Sequence, residues 1–116
     1  MSSTAVFYDP IYLEHDNGLG HPERPERLEA TMRMLEKTGL SEKLRLISPR
    51  DATGEEIELV HPARYIKKVK EEAEAGGGWL DPDTHVSPRS YDAALKSAGA
   101  TLEGLERIFS GELDNA

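Results

Sequence analysis

The stretch HDNGLGHPERPERL, residues His15–Leu28, holds two histidines, two glycines, two prolines and five charged residues. Its first half has neither a helical nor an alternating period, and its glycines and prolines read as a shaped loop. Its second half opens a helix. Pro25 suits a first helical position, Leu28, Met32 and Leu35 keep helical spacing, and Gly39 suits the stop, so the spacing predicts a helix from Pro25 to about Leu40.

On either side lie two short apolar runs. Ala5–Tyr8 (AVFY) ends at Asp9-Pro10, and Leu44–Ile47 (LRLI) ends at Ser48-Pro49; both read as strands. Strand, loop, helix and strand in that order point to a parallel pair. Further on, Thr53 with Glu56 forms a capping box before Ile57–Val60. Pro62 then opens a helix with Tyr65, Ile66, Val69 and Ala73 on one face, which Gly76–Gly78 end. The longest helical pattern follows Ser87-Pro88, read as an N-cap and a first-turn proline. Tyr91, Ala94, Leu95, Ala98, Leu102, Leu105 and Phe109 recur there at steps of three and four, predicting one buried face. Ala94, Ala98 and Gly99 keep part of it small enough for another backbone to come close. Two strands alone make a poor sheet, so the chain reads as the front of something larger.

Composition narrows the function classes. At 116 residues, with 37% hydrophobic and 31% charged residues, the chain fits one small domain able to bury roughly two-thirds of its unfolded surface. Fourteen basic against twenty-two acidic residues give −8, which argues against nucleic acid as a direct partner. No cysteine is present, which excludes disulfides and thiolate metal sites. No apolar window approaches the ~20 residues of a membrane span, and no secretory pattern opens the chain, so a cytoplasmic protein is expected.

The four histidines are His15, His21, His61 and His85. In DPDTH, Asp81–His85, Asp83 and His85 make an Asp-x-His pair that could ligate zinc if a further ligand arrived. Asp81-Pro82-Asp83 reads equally as a turn. No nucleophile triad, His-Glu-x-x-His helix or phosphate-cradling glycine loop is present, and EAGGGWL, which follows a helix, reads as a flexible connection.

Three separated motifs, GHPERPERL (Gly20–Leu28), VHPARYIKKV (Val60–Val69) and DPDTHVSPRSYDAALKSAGATLEGLERI (Asp81–Ile108), together resemble the N-terminal part of the histone deacetylase superfamily. That superfamily includes bacterial acetoin-utilisation proteins and acetylpolyamine amidohydrolases. The resemblance implies the arginase-deacetylase fold, a three-layer α/β architecture around a mostly parallel sheet, of which residues 1–116 would be the N-terminal segment. It implies a zinc-dependent amide hydrolase in which a metal-bound water attacks an acetyl carbonyl with help from a histidine base. The family's paired histidines, zinc ligands and transition-state tyrosine all follow the region matched. The chain is therefore expected to carry no catalytic or metal-binding residue and to hold no zinc alone. The Asp83–His85 pair lies before the place of the ligand motif.

By the same resemblance, His21 and Pro22 fall at the rim of an acyl-lysine tunnel. Arg27 falls in the inner cavity behind the metal, where its guanidinium would attract a carboxylate product. Asp83 falls at the tunnel mouth, where it would accept from a substrate amide. Two alternatives stay open: Arg27 pairing with Glu23 or Glu26, and Asp83 serving only its turn. The substrates implied are acetylated lysine or acetylated polyamine, for a complete enzyme. The partner implied is the remaining C-terminal part of the domain; a free-standing binding or oligomerisation module, joined through the apolar helix faces, is the alternative.

Overall fold

The computed structural model describes residues 2–116. Strand β1 (Ala5–Phe7) pairs in parallel with β2 (Arg45–Ile47), Val6 standing opposite Leu46. Helix α1 (Pro25–Lys37) makes the crossover between them. The expected parallel pair is present, each strand one residue shorter than read. Helix α1 also stops earlier: Gly39 takes a φ of 74°, and Leu40–Lys43 tighten into a 3-10 turn instead of extending the helix. A second 3-10 turn, Pro10–Glu14, follows β1, with the Asp9 side chain accepting from Ile11 N–H at 2.9 Å.

The capping box forms as expected. Thr53 Oγ1 accepts from Glu56 N–H at 3.2 Å, while Glu56 Oε1 accepts from Thr53 N–H at 2.8 Å, opening α2 (Gly54–Glu58). Arg50 donates to both oxygens of Glu56, at 2.8 and 2.9 Å, and to Glu106 at 2.9 Å. These hydrogen bonds hold the Glu56 carboxyl down to about 2. Helix α3 (Ala63–Glu74) follows Pro62 and buries Ala73, with Ile66 and Val69 half-buried and Tyr65 exposed.

The segment after α3 departs from its reading as a flexible connection. Gly78–Asp81 (β3) and Thr84–Val86 (β4) form an antiparallel hairpin around the expected Pro82-Asp83 turn. Gly78 begins this strand instead of ending the helix. Gly77, at a φ of 94°, must remain glycine, because a Cβ there would overlap the Val86 carbonyl.

Helix α4 (Ser90–Phe109) starts later than read. Ser87 does not cap it, because its hydroxyl is engaged elsewhere. The buried positions of α4 are Ser90, Ala93, Gly99 and Gly104, so its small residues face the fold. At Gly99 a Cβ would overlap the Arg50 carbonyl and lie 2.8 Å from Ala52 N, the close backbone approach expected at that position. The single buried apolar face is not formed: Leu105 is 49% and Phe109 87% exposed, since no element among the described residues covers that side.

Past α4 the chain returns to β1. Thr4 and Asn115 form a parallel bridge, Ala5 N–H donates to Asn115 O at 3.1 Å, and Asp114 N–H donates to Ser3 O at 2.9 Å. Strand β1 is therefore flanked by β2 on one side and by the return segment at the start of the other. The whole is a slab of 46 × 34 × 18 Å. Half of its buried apolar residues are alanines, Ala5, Ala52, Ala73 and Ala93, joined by Ile11, Leu35, Val86 and Leu113.

Candidate functional site

The loop that precedes α1 folds against the β3–β4 hairpin. His21 Nδ1 accepts from Glu23 N–H at 3.0 Å, which leaves the ring proton on Nε2, 3.2 Å from Asp83 Oδ1. Two of the three residues expected at the tunnel mouth thus meet across 62 positions of sequence. His21 is largely covered, whereas the Asp83 side chain is 93% exposed and keeps free lone pairs. The Asp83 N–H donates to Asp81 Oδ1 at 2.8 Å, and this backbone bond, with further ones from Thr84, lowers the Asp81 carboxyl below its usual range. Asp83 therefore serves both the turn and the contact to the loop. Pro22 is exposed beside His21.

Behind this contact lies a polar network that the sequence reading did not assign. His85 donates from Nδ1 to Asp16 O at 3.1 Å, since a carbonyl can only accept. The Ser87 hydroxyl donates to Glu14 O at 2.7 Å and accepts from Asp16 N–H at 3.0 Å. Ser90 Oγ accepts from Ser87 N–H at 2.7 Å and lies 2.7 Å from His15 Nδ1. Asn17, 7% exposed, donates to Glu23 Oε2 at 2.8 Å. The hairpin, the loop and the start of α4 are thereby fixed to one another by groups up to 75 residues apart in sequence. The signal available in sequence was the SPRS run, Ser87–Ser90, two hydroxyls around a proline just before the long apolar pattern.

Arg27 lines an open cavity of about 580 Å³ bordered by β1, the Pro10–Glu14 turn, α1 and the first half of α4. Arg24, His15, Glu23 and Tyr12 also line it. Arg27 forms no ion pair among the described residues, so the alternative pairing with Glu23 or Glu26 does not form. The Tyr12 hydroxyl is buried without a hydrogen-bond partner, and burial raises its pKa.

Among the described residues no three His, Cys, Asp or Glu side chains come together to hold a metal ion. His85 turns to Asp16 O instead of joining His21 and Asp83, so these residues do not fit a zinc ion. No helix among the described residues is long and apolar enough to cross a membrane.

The fold is that of a deacetylase domain. The solved HDA15 HD domain superposes with a TM-score of 0.91 at 30% identity, over 99% of this chain and 34% of that one. The chain belongs to the histone deacetylase family, whose domain profile, "Histone deacetylase domain", matches residues 21–116. The histone deacetylase-like amidohydrolase of Pseudomonas aeruginosa is 35% identical over 130 residues, covering 97% of this chain and 34% of that protein. The polyamine deacetylase HDAC10 of Homo sapiens is 34% identical over 100 residues, covering 80% of this chain and 15% of that protein. At most, then, the chain spans about a third of the length of these relatives.

Proposed function

We propose that this chain is the N-terminal, substrate-facing wall of a zinc-dependent amide hydrolase that removes acetyl groups from acetyl-lysine or acetylpolyamine, and that it is inactive alone. The observation that carries this reading is the His21–Asp83 contact at 3.2 Å, together with a cavity lined by Arg24 and Arg27. In this arrangement Asp83 accepts from the amide of a substrate entering at the loop, while His21, proton on Nε2, holds the carboxylate in place. Arg27, free of any internal carboxylate, attracts the acetate product by charge and by paired N–H donors. Zinc and the groups that activate its water belong to the C-terminal portion of the domain, which is the partner of this segment.

A surface argument supports the need for that partner. A compact monomer of 12.9 kDa exposes about 6,300 Å², whereas this chain exposes 7760 Å². Leu105 and Phe109 of α4, 49% and 87% exposed, are part of the apolar surface that such a partner would cover. Self-association through the same face is the second reading, favoured by that exposure alone.

The test replaces the matched third of the Pseudomonas aeruginosa relative with this chain and assays the chimera with zinc and an acetyl-lysine or acetylpolyamine substrate. The chimera is expected to turn over, the isolated chain to be inactive, and Asp83→Ala in the chimera to raise KM about tenfold or more, in line with the loss of one charge-assisted hydrogen bond. Turnover by the isolated chain, or an unchanged KM in the variant, would overturn the reading.

A further inference from the structure

Asn17-Gly18 is the one Asn-Gly pair in the sequence. Such pairs lose ammonia readily in mobile chains, because glycine has no side chain to shield its nitrogen from the preceding carboxamide. Here both reacting groups are occupied. The Gly18 N–H donates to Asp16 Oδ1 at 2.8 Å. The Asn17 carboxamide is buried, with its nitrogen 2.8 Å from Glu23 Oε2, 3.3 Å from Glu23 O and 3.4 Å from His15 Nε2. The surroundings of Gly18 are open, with nothing within 4 Å of where a Cβ would stand. Hydrogen bonds restrain the reaction, then, and crowding does not.

We propose that Asn17-Gly18 is a latent deamidation site, silent while the loop is docked on the hairpin and reactive whenever the loop opens, and that the reaction then prevents redocking. On opening, the Gly18 nitrogen gives up its proton and bonds to Asn17 Cγ. The Cγ–Nδ2 bond breaks, ammonia leaves with the proton, and a cyclic imide remains. Water adds to one of the two imide carbonyls and opens the ring to aspartate or isoaspartate. The net change is one water consumed and one ammonia released. The new carboxylate faces Glu23 Oε2, where the amide previously donated at 2.8 Å. Two like charges, one of them on the buried side chain at position 17, replace a hydrogen bond. In the isoaspartate product the backbone also gains a methylene between Asp16, whose N–H and C=O bond Ser87 and His85, and His21, which reaches Asp83.

The chemistry stands apart from the proposed function, since it depends only on the loop. Peptide mapping by mass spectrometry on the intact chain, incubated at neutral to mildly alkaline pH, follows aspartate and isoaspartate at position 17 with time. In native buffer the rate is expected to be at least about tenfold below that in strong urea, because reaction waits on local opening. Asp16→Ala, which frees the Gly18 N–H and leaves the Asp16 backbone contacts in place, is expected to speed the reaction several-fold. Equal rates in buffer and urea overturn the proposal. So does an unchanged or slower Asp16→Ala, the slower result meaning that Asp16 acts as a base. A readout that needs no variant is hydrogen exchange of the Gly18 amide at low urea. Exchange and deamidation should share one urea dependence, and divergence of the two overturns the shared opening step.

Discussion

Two glycines on one helix should answer an added methyl with opposite signs. At Gly99 the new Cβ meets backbone: it overlaps the Arg50 carbonyl and lies 2.8 Å from Ala52 N, whose N–H donates to Leu95 O at 2.9 Å. Neither contact can be relieved by rotating a side chain, so the Arg50–Ala52 segment must lift off α4. Overpacking of this kind costs about 1–3 kcal/mol, and the strained Ala52 hydrogen bond adds about 1 kcal/mol. Alanine returns up to about 1 kcal/mol in helix propensity. The net expectation for Gly99→Ala is a loss of about 1–3 kcal/mol. At Gly104 the nearest atoms to an added Cβ are Phe7 Cε2 at 3.4 Å and Ala116 Cβ at 3.7 Å, ordinary contacts. Gly104→Ala should therefore gain up to about 1 kcal/mol from propensity. Urea unfolding followed by far-ultraviolet circular dichroism reads both, as midpoint shifts at constant slope. A Gly99→Ala variant as stable as the parent would refute the close approach of α4 to the Arg50–Ala52 segment.

Acid should loosen α2 through Glu56. Its folded carboxyl titrates at about 2 against an ordinary 4.5, so its contribution is full above the ordinary value and disappears as pH falls toward the folded one. The melting-temperature advantage of the parent over Glu56→Gln should therefore be largest near neutral pH and vanish toward pH 2; an advantage independent of pH would contradict this. Tyr12→Phe removes a buried hydroxyl without a partner, so the free energy of urea unfolding should stay or rise, by up to about 1 kcal/mol, whereas a clear loss would reveal a bound water. Phe109→Ser should leave unfolding within about 0.5 kcal/mol and weaken any self-association measured by sedimentation. Unchanged association would move that contact elsewhere.

Periodicity made the helices legible, and local chemistry fixed several of their ends. Gly39 and the Thr53–Glu56 box act over three or four residues, which is the range within which sequence alone carries a cap. The β3–β4 hairpin was missed because its strands have four and three residues, too few to establish an alternation, and because Gly76–Gly78 and Pro82 are loop signals. The burial on α4 was misjudged for another reason. Periodicity identifies an apolar face, but Leu105 and Phe109 need a neighbour to be buried, while Gly99 and Gly104 are buried by what reaches them. Of the candidate site, His21, Pro22, Arg27 and Asp83 were placed by resemblance, not by pattern. The His15, Ser87 and Ser90 network joins residues more than seventy positions apart, and no local window contains it.

The bridge between Thr4 and Asn115 has a consequence for synthesis on the ribosome. Ser3 N–H donates to the Asp114 carboxylate at 2.6 Å and Thr4 Oγ1 to Asn115 Oδ1 at 2.7 Å, contacts spanning 111 positions. The second neighbour of the first strand is thus made more than a hundred residues after it. At ordinary translation rates the strand waits on the order of ten seconds for that neighbour. During that interval Ala5–Phe7, apolar and paired on one edge at most, is open to capture by a chaperone or by another strand.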